Sequence, residues 1–355
     1  MIEARENRCM ANMTLAVLLT SAMGDALLAL PLIQSIRAAK PGVRIAAIVS
    51  RPATVGFVRE LYAAGALPID EIIELPEHGP RTVSKAIARG RSLAKPRLET
   101  VVQTFSSHGR FADIVCLFSG SKRRAGFQSG ILSKVSLNLR PRAIPANGKH
   151  RITLNLSLCD SLGVEKKFEG PDYLKLPKSS GTAVQGDYVM FSIFADRNLQ
   201  GKRWPMESWA KLGQDIVKER LSVVVSGGEP DRAEAQQLVD AIGNGATNLA
   251  GTCNFVGLAG LMRGARMIVG TDGMPLHYAD ALGLRVVGLF GPTDPVEGGP
   301  YSAEVTQSVI LQAPGEVTYT NLSIDRGIGE EGSKQMLGIH VEHVFEATMQ
   351  ALHSP

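Results

Sequence analysis

Two hydrophobic periods alternate along this chain, and the switching between them predicts its elements. Thr14–Thr20 (TLAVLLT) is a short unbroken apolar run, the pattern of a strand buried on both faces. A small-residue turn, Ser21–Gly24, follows. Leu28, Leu32 and Ile36 then recur at i, i+4, i+8, which predicts a helix from Asp25 to Ala39, kinked at Pro31 and ended by Pro41-Gly42. The alternation repeats as strand Val43–Val49, helix Thr54–Ala63, strand Glu71–Leu75, helix Arg81–Lys95 and strand Glu99–Thr104. Strands alternating with helices imply βαβ units and a parallel sheet. The order loosens between Lys122 and Pro145, and a helix is predicted over His150–Leu162.

Pro177–Gly186 has no periodicity and reads as an interdomain linker. The pattern then restarts. Strand Asp187–Ile193 leads through a loop to helix Met206–Glu219, and strand Leu221–Ser226 leads through Gly227-Gly228 to helix Asp231–Ile242. Helix Phe255–Arg263, strand Arg266–Gly270, helix Pro275–Leu282 and strand Arg285–Phe290 follow. A last helix, His340–Leu352, lies well past the final core strand and is expected to pack back on the first domain. The expected fold class is α/β: two Rossmann-like domains with parallel sheets facing a central cleft. Their expected bounds are 14–178 and 187–335, with residues 336–355 as the returning helix. No close internal repeat links the halves; they share only a pattern.

Composition narrows the function classes. A length of 355 residues suits two domains. Lys and Arg number 38 against 34 Asp and Glu, a net charge of +4. That balance is too weak to argue for nucleic acid, and it tolerates anionic substrates such as nucleotide diphosphates or phosphorylated lipids. Cys9, Cys116, Cys159 and Cys253 form no C-x-x-C pair, which fits reduced thiols in a cytoplasmic protein better than a disulfide or zinc framework. No apolar run nears the roughly 18 residues that span a bilayer. Residues 1–13 are polar and charged, and are expected to form a disordered extension, not a signal peptide.

Several segments could carry chemistry, each with a plain structural reading beside it. The turn after the first strand ends in Gly24-Asp25, at the carboxyl edge where α/β sheets bind ligands. Gly24 permits close backbone approach, and Asp25 would present a carboxylate at a helix start, where Asp also serves as an ordinary cap. In Gly201-Lys202-Arg203-Trp204-Pro205, Lys202 can meet a diphosphate as a point charge; it equally suits a solvated loop. Gly270-Thr271-Asp272-Gly273-Met274-Pro275-Leu276-His277 follows a strand and opens a helix, and such starts favour anions. There Asp272 could accept sugar hydroxyls, while His277 could simply pack. Gly291-Pro292-Thr293-Asp294-Pro295 is a shaped loop at the same edge, or a structural turn. Gly227-Gly228 alone is a weak nucleotide signal.

Together these segments resemble glycosyltransferase family 9, the ADP-heptose heptosyltransferases of bacterial lipopolysaccharide assembly. The resemblance runs from about Thr14 to Leu352. It rests on Ser21-Ala22-Met23-Gly24-Asp25 with Leu30-Pro31, on Lys202 to Pro205, on Asp272 to His277, and on Gly291 to Pro295. It implies a GT-B fold and an inverting, metal-independent transfer from a nucleotide sugar, ADP-linked, to a hydroxyl acceptor. That acceptor is a lipopolysaccharide core, another glycolipid or a small natural product. Asp25 is the implied base and Lys202 the charge that meets the leaving phosphate. Met23, Gly24, Asn198, Gly228, Asp272, Gly273, Met274, His277 and Thr293 are the implied donor-binding residues. No cofactor, metal or nucleic acid is implied, and a peripheral contact with the inner membrane is.

The chain also departs from the family pattern. Gly273 stands where a hydroxyl residue is usual, Ile193-Phe194-Ala195-Asp196 replaces H-P-G-[AT], and Gln103 ends the fourth strand where an acid is common. Two other readings share the parallel sheets. A catalytically silent relative would bind a nucleotide sugar without turnover. An NAD-dependent oxidoreductase would need a G-x-G-x-x-G after a first strand, which neither half has.

Overall fold

The computed structural model describes residues 14–75, 82–94, 98–128, 130–139, 148–168, 170–177, 184–195, 199–317, 320 and 330–353. The expected extension at residues 1–13, and both Asp196 and Asn198, lie outside these residues. The chain divides into two compact units. One is Met1–Pro145 with Arg151–Glu169; the other is Ala146–His150 with Gly170–Pro355.

The first unit is a five-stranded parallel sheet in the order β3-β2-β1-β4-β5. In chain order its main elements are β1 (Thr14–Leu19), α1 (Met23–Leu28), α2 (Leu30–Ala39), β2 (Arg44–Val49), α3 (Pro52–Ala63), β3 (Glu71–Glu74), α4 (Val83–Leu93), β4 (Leu98–Gln103), α5 (Arg110–Phe118), β5 (Arg123–Ala125) and α6 (Arg151–Leu162). β1 is buried along its whole length, as its unbroken apolar run requires. It pairs in register with β2, Leu15 beside Ile45, and with β4 on its other side.

Two local expectations are corrected here. The first helix starts at Met23, not Asp25, and it is two helices, not one kinked helix, with Ala29 ending α1 and opening α2. Pro31 falls in the first turn of α2, where its missing N–H leaves no intrahelical bond unmade. Helix α5, which was not among the predicted elements, lies against α4 at Gly90: a Cβ there would sit 2.6 Å from Phe118 Cβ and 2.8 Å from the Val115 carbonyl oxygen.

The second unit is a six-stranded parallel sheet in the order β11-β10-β9-β6-β7-β8. Its main elements are β6 (Tyr188–Ser192), α7 (Met206–Lys218), β7 (Ser222–Ser226), α8 (Arg232–Ile242), β8 (Ala246–Asn248), α9 (Phe255–Gly264), β9 (Met267–Thr271), α10 (Met274–Ala281), β10 (Val286–Phe290), β11 (Val309–Gln312) and α11 (Val341–His353). Its core joins Val189, Phe191, Trp204, Trp209 and Val269 to Val344, Ala347 and Ala351 of α11. The last helix thus packs on the second unit, against the expectation that it returns to the first. Its apolar stripe is buried there, and the Trp204 indole N–H donates to the Ile339 carbonyl at 2.9 Å just before it starts.

The boundary also differs from the expected linker at Pro177–Gly186. Gly170–Pro177 already belongs to the second unit. Tyr173 and Leu174 are buried, the Leu174 N–H donates to the Ala281 carbonyl at 2.8 Å, and Arg263 donates to the carbonyls of Leu176 and Pro177. Among the described residues no helix is long and apolar enough to cross a membrane.

Candidate active site

Each sheet changes direction once. In the first unit the chain runs outward from β1 through β2 to β3, then returns to place β4 on the other side of β1. In the second it runs from β6 through β7 to β8, then returns with β9 beside β6. In open parallel sheets, ligands bind at the carboxyl ends of the two central strands where the order reverses. Three of the segments singled out in the sequence follow β1, β6 and β9, while Gly227-Gly228 follows β7 and Gly291–Pro295 follows β10.

At the β1/β4 edge, Asp25 is the third residue of α1. It is not the cap itself: its carboxylate reaches back to the helix start. Oδ2 accepts the Ser21 hydroxyl at 2.6 Å and the Ala22 N–H at 3.3 Å. Oδ1 faces Arg151 Nη1 at 3.3 Å, and the two side chains are only 12% and 16% exposed. The turn is tied down from behind, since Thr54 donates to the Ser21 carbonyl at 2.8 Å and the Thr20 N–H donates to the Ser107 hydroxyl at 3.0 Å. Met23 and Gly24 are the first two residues of α1, with Gly24 buried. The helix start and the guanidinium both stabilise negative charge on Asp25.

Sequence reasoning missed Arg151, although a signal was there. It is the first residue of α6, where the dipole is positive and a cation is unfavourable unless a carboxylate holds it. Nearby, Gln103 at the end of β4 is fully buried and donates to Asp113 at 3.4 Å, so an acid stands one helix turn into α5 beside the strand end where Gln103 replaces one.

At the β6/β9 edge, the Lys202 ammonium donates to Asp272 Oδ2 at 2.6 Å, with side-chain exposures of 11% and 9%. Lys202 is therefore neither a solvated loop lysine nor a bare point charge. Each residue of its motif has a separate task. Arg203 makes two 3.0 Å bonds to Glu234, Trp204 enters the core edge-on to Trp209, and Pro205 caps α7. Asp272 is fixed through its backbone, whose N–H donates to the Leu289 carbonyl at 3.1 Å. Gly273 then caps α10 in a fully extended conformation, with Met274 and Pro275 as its first residues. Helix starts carry N–H groups that no helical carbonyl can accept.

The other expected donor residues divide. His277 is buried one turn into α10, and Thr293 is buried after β10. The hydroxyls of Thr293 and of Thr271, the last residue of β9, make no hydrogen bond to the described residues. Gly228 lies at the carboxyl end of β7, and its N–H is taken by Asp231 at 3.0 Å. One turn beyond His277, Asp280 is buried and accepts the N–H groups of Tyr301 and Ser302 at 3.1 and 2.9 Å. Burial pushes its carboxyl up to about 6, against the pull of those two N–H groups.

The sequence profile described as glycosyltransferase family 9 (heptosyltransferase) matches residues 112–322, more than half of the chain. Lipopolysaccharide heptosyltransferase 2 of Escherichia coli (strain K12) is 24% identical over 249 residues, which is 64% of this chain and 70% of that protein. Among solved structures, the glycosyl transferase family 9 protein from Veillonella parvula DSM 2008 superposes with a TM-score of 0.77 at 19% identity, covering 96% of this chain and 97% of that one. An E. coli heptosyltransferase solved with ADP superposes with a TM-score of 0.65 at 21% identity, covering 88% and 98%. Both likenesses assign the fold, GT-B, with two Rossmann-like domains of parallel strands.

Proposed function

The chain belongs to glycosyltransferase family 9 and is a glycosyltransferase, and from that premise we propose that it transfers heptose from ADP-heptose, with inversion, to a hydroxyl of a lipopolysaccharide core or a related bacterial glycoconjugate. The observation that carries this reading is the β6/β9 edge, where Lys202, held by Asp272, stands with the start of α10. An ammonium has three donors. One binds Asp272, and the group is thereby positioned to meet an anion that arrives with its own negative charge. The donor class is proposed by analogy with a similar structure that was solved with ADP.

In this reaction the acceptor oxygen bonds to the anomeric carbon as the bond from that carbon to the diphosphate breaks. The electron pair leaves with the phosphate, and Asp25 takes the acceptor proton. A carboxylate held by a helix start, a hydroxyl and a guanidinium is a weak base. It suffices when the proton moves late, once the new bond has made the acceptor oxygen acidic. Lys202 and the first amides of α10 stabilise the charge that grows on the departing phosphate. Asp272, Gly273, Met274, His277 and Thr293 shape the donor pocket, with Gly228 at its margin. This assignment of charge makes the reaction independent of metal ions, in a cytoplasmic setting.

A panel of nucleotide sugars, read by thermal shift and by turnover, tests the reading. ADP-linked sugars should stabilise the protein selectively, because a ligand that binds only the native state raises its stability. Turnover with ADP-heptose should survive EDTA. Stabilisation by UDP- or GDP-sugars instead would overturn the donor class, and binding without turnover would point to a silent relative.

A further inference from the structure

The carboxyl edge of the second sheet carries an aromatic ring that its core does not close over. Phe194 stands two residues past the end of β6. Phe191, Ile193, Trp204 and Trp209 of the neighbouring core are buried, whereas Phe194 is half-buried and packs at the margin of that core.

The ring is nonetheless fixed in place. Gly227, the first residue past β7, lies against its edge: a Cβ there would sit 2.8 and 2.9 Å from two ring carbons, so a larger residue would have to push the ring aside. Over the ring, the Arg203 guanidinium carbon is 5.5 Å from the centroid, within the range of a cation–π contact. That guanidinium is itself held, because Nη1 makes its two bonds to Glu234 of α8, and its buried Nε makes no hydrogen bond to the described residues. The backbone of Phe194 borders the start of α10, since a Cβ on Gly273 would lie 3.9 Å from the Phe194 carbonyl oxygen. Phe194 therefore stands between the end of β7 and the helix start where Lys202 and Asp272 meet.

A nucleoside diphosphate joins a flat base to a strongly anionic tail. Lys202 and the start of α10 suit the tail. An aromatic ring beside them suits the base, because every base has a π-face that stacks on aromatic side chains. A ring already held in place also loses little freedom on binding. We infer that Phe194, braced by Arg203 and Gly227, is the platform on which the donor's nucleobase stacks. The inference rests on the reading of the β6/β9 edge as a diphosphate site, and it holds for whichever base the donor carries.

The test is isothermal titration calorimetry of the full chain with ADP and with inorganic pyrophosphate, which has an anionic tail and no base. Wild type should bind ADP more tightly than pyrophosphate. Phe194→Leu keeps an apolar filler but has no stacking face, so it should weaken ADP by about tenfold and leave pyrophosphate unchanged. Phe194→Tyr should keep the wild-type affinity for both. Gly227→Ala displaces the ring and should weaken ADP in the same direction as Phe194→Leu. Wild-type ADP affinity in Phe194→Leu would reduce the ring to a filler and overturn the inference. So would an equal loss for ADP and pyrophosphate, which would mean that the ring only shapes the diphosphate site. A wild-type preference for UDP or GDP over ADP would sink the proposed donor instead, and the loss in Phe194→Leu, measured with the preferred nucleotide, would still decide the platform.

Discussion

At the β1/β4 edge, Asp25 is held largely by its own turn, through the Ser21 hydroxyl and the Ala22 N–H, with Arg151 added from α6. At the β6/β9 edge, Asp272 is held by Lys202, 70 positions away in sequence, in a more deeply buried pair. The first carboxylate belongs to a local capping arrangement that still has an acceptor oxygen when its charge is removed. The second shares its charge with Lys202 in a nearly buried ion pair. The same type of switch point thus carries a group whose charge can change, and a pair whose members cannot be changed singly. That contrast suits a proton acceptor on one unit and a fixed electrostatic site on the other.

The comparison is broken most directly at Asp25. Asp25→Asn keeps a carbonyl acceptor for the Ala22 N–H, so the first unit should fold and the donor-induced thermal shift should persist. Loss of the base should lower kcat by about 10²–10⁴-fold. Turnover close to wild type would remove Asp25 from the chemistry and leave only its capping role.

At the second edge the expected loss is in stability. Lys202→Met or Asp272→Leu alone breaks a buried ion pair and should destabilise the protein by roughly 3–5 kcal/mol. The double substitution should recover most of that, because a buried ion pair and a packed apolar pair are close in free energy. Denaturant unfolding of the three variants measures the coupling. Single losses under about 1 kcal/mol would class the pair with exposed surface bridges and erase the contrast between the two edges.

How much of this was legible in the sequence follows from the length of each signal. Strands such as β1, β6 and β9 are unbroken apolar runs, and they gave the parallel architecture directly. β5 (Arg123–Ala125) and β8 (Ala246–Asn248) are three-residue edge strands with hardly an apolar side chain, so no periodicity marks them. Asp25 and Lys202 stand out in the sequence because motifs mark them. The Lys202–Asp272 contact and Arg151 were not, because each depends on the strand order that brings distant loops together. The final helix was misplaced for the same reason: its apolar stripe says that it packs, not on which unit.

A third measurement uses pH to probe the helix behind the second edge. The Asp280 carboxyl rises from 3.8 to about 6 on folding, chiefly through burial. The charged form is therefore the disfavoured one in the native state. Protonation of the folded protein adds stability that is fully present below the unfolded value and is lost as pH rises through about 6. The difference amounts to about 3 kcal/mol at most. Asp280→Asn removes this titration. Wild-type stability minus variant stability should therefore increase as pH falls from about 6 toward about 4, in urea unfolding of both proteins. A difference that stays flat over that range would mean that burial does not raise the Asp280 carboxyl, because it is more hydrated than its surroundings imply.

The smallest expected effect is at Arg151, and it separates a positioning role from a catalytic one. The guanidinium touches one oxygen of Asp25 at 3.3 Å, while the other oxygen keeps its two local bonds. Losing one long hydrogen bond of this kind is expected to remove about 1 kcal/mol. Arg151→Ala should therefore lower kcat by roughly fivefold, with KM for the donor unchanged and with partial rescue by Arg151→Lys, which restores the charge but not the planar fork. The pH profile is the more telling readout. Without the cation the Asp25 carboxylate is less stabilised, so the acid limb of kcat should move toward higher pH in Arg151→Ala and return in Arg151→Lys. A merely structural arginine would lower the yield of folded protein and leave that limb in place. A loss as large as that of Asp25→Asn, with KM for the acceptor raised, would instead place Arg151 in contact with the substrate.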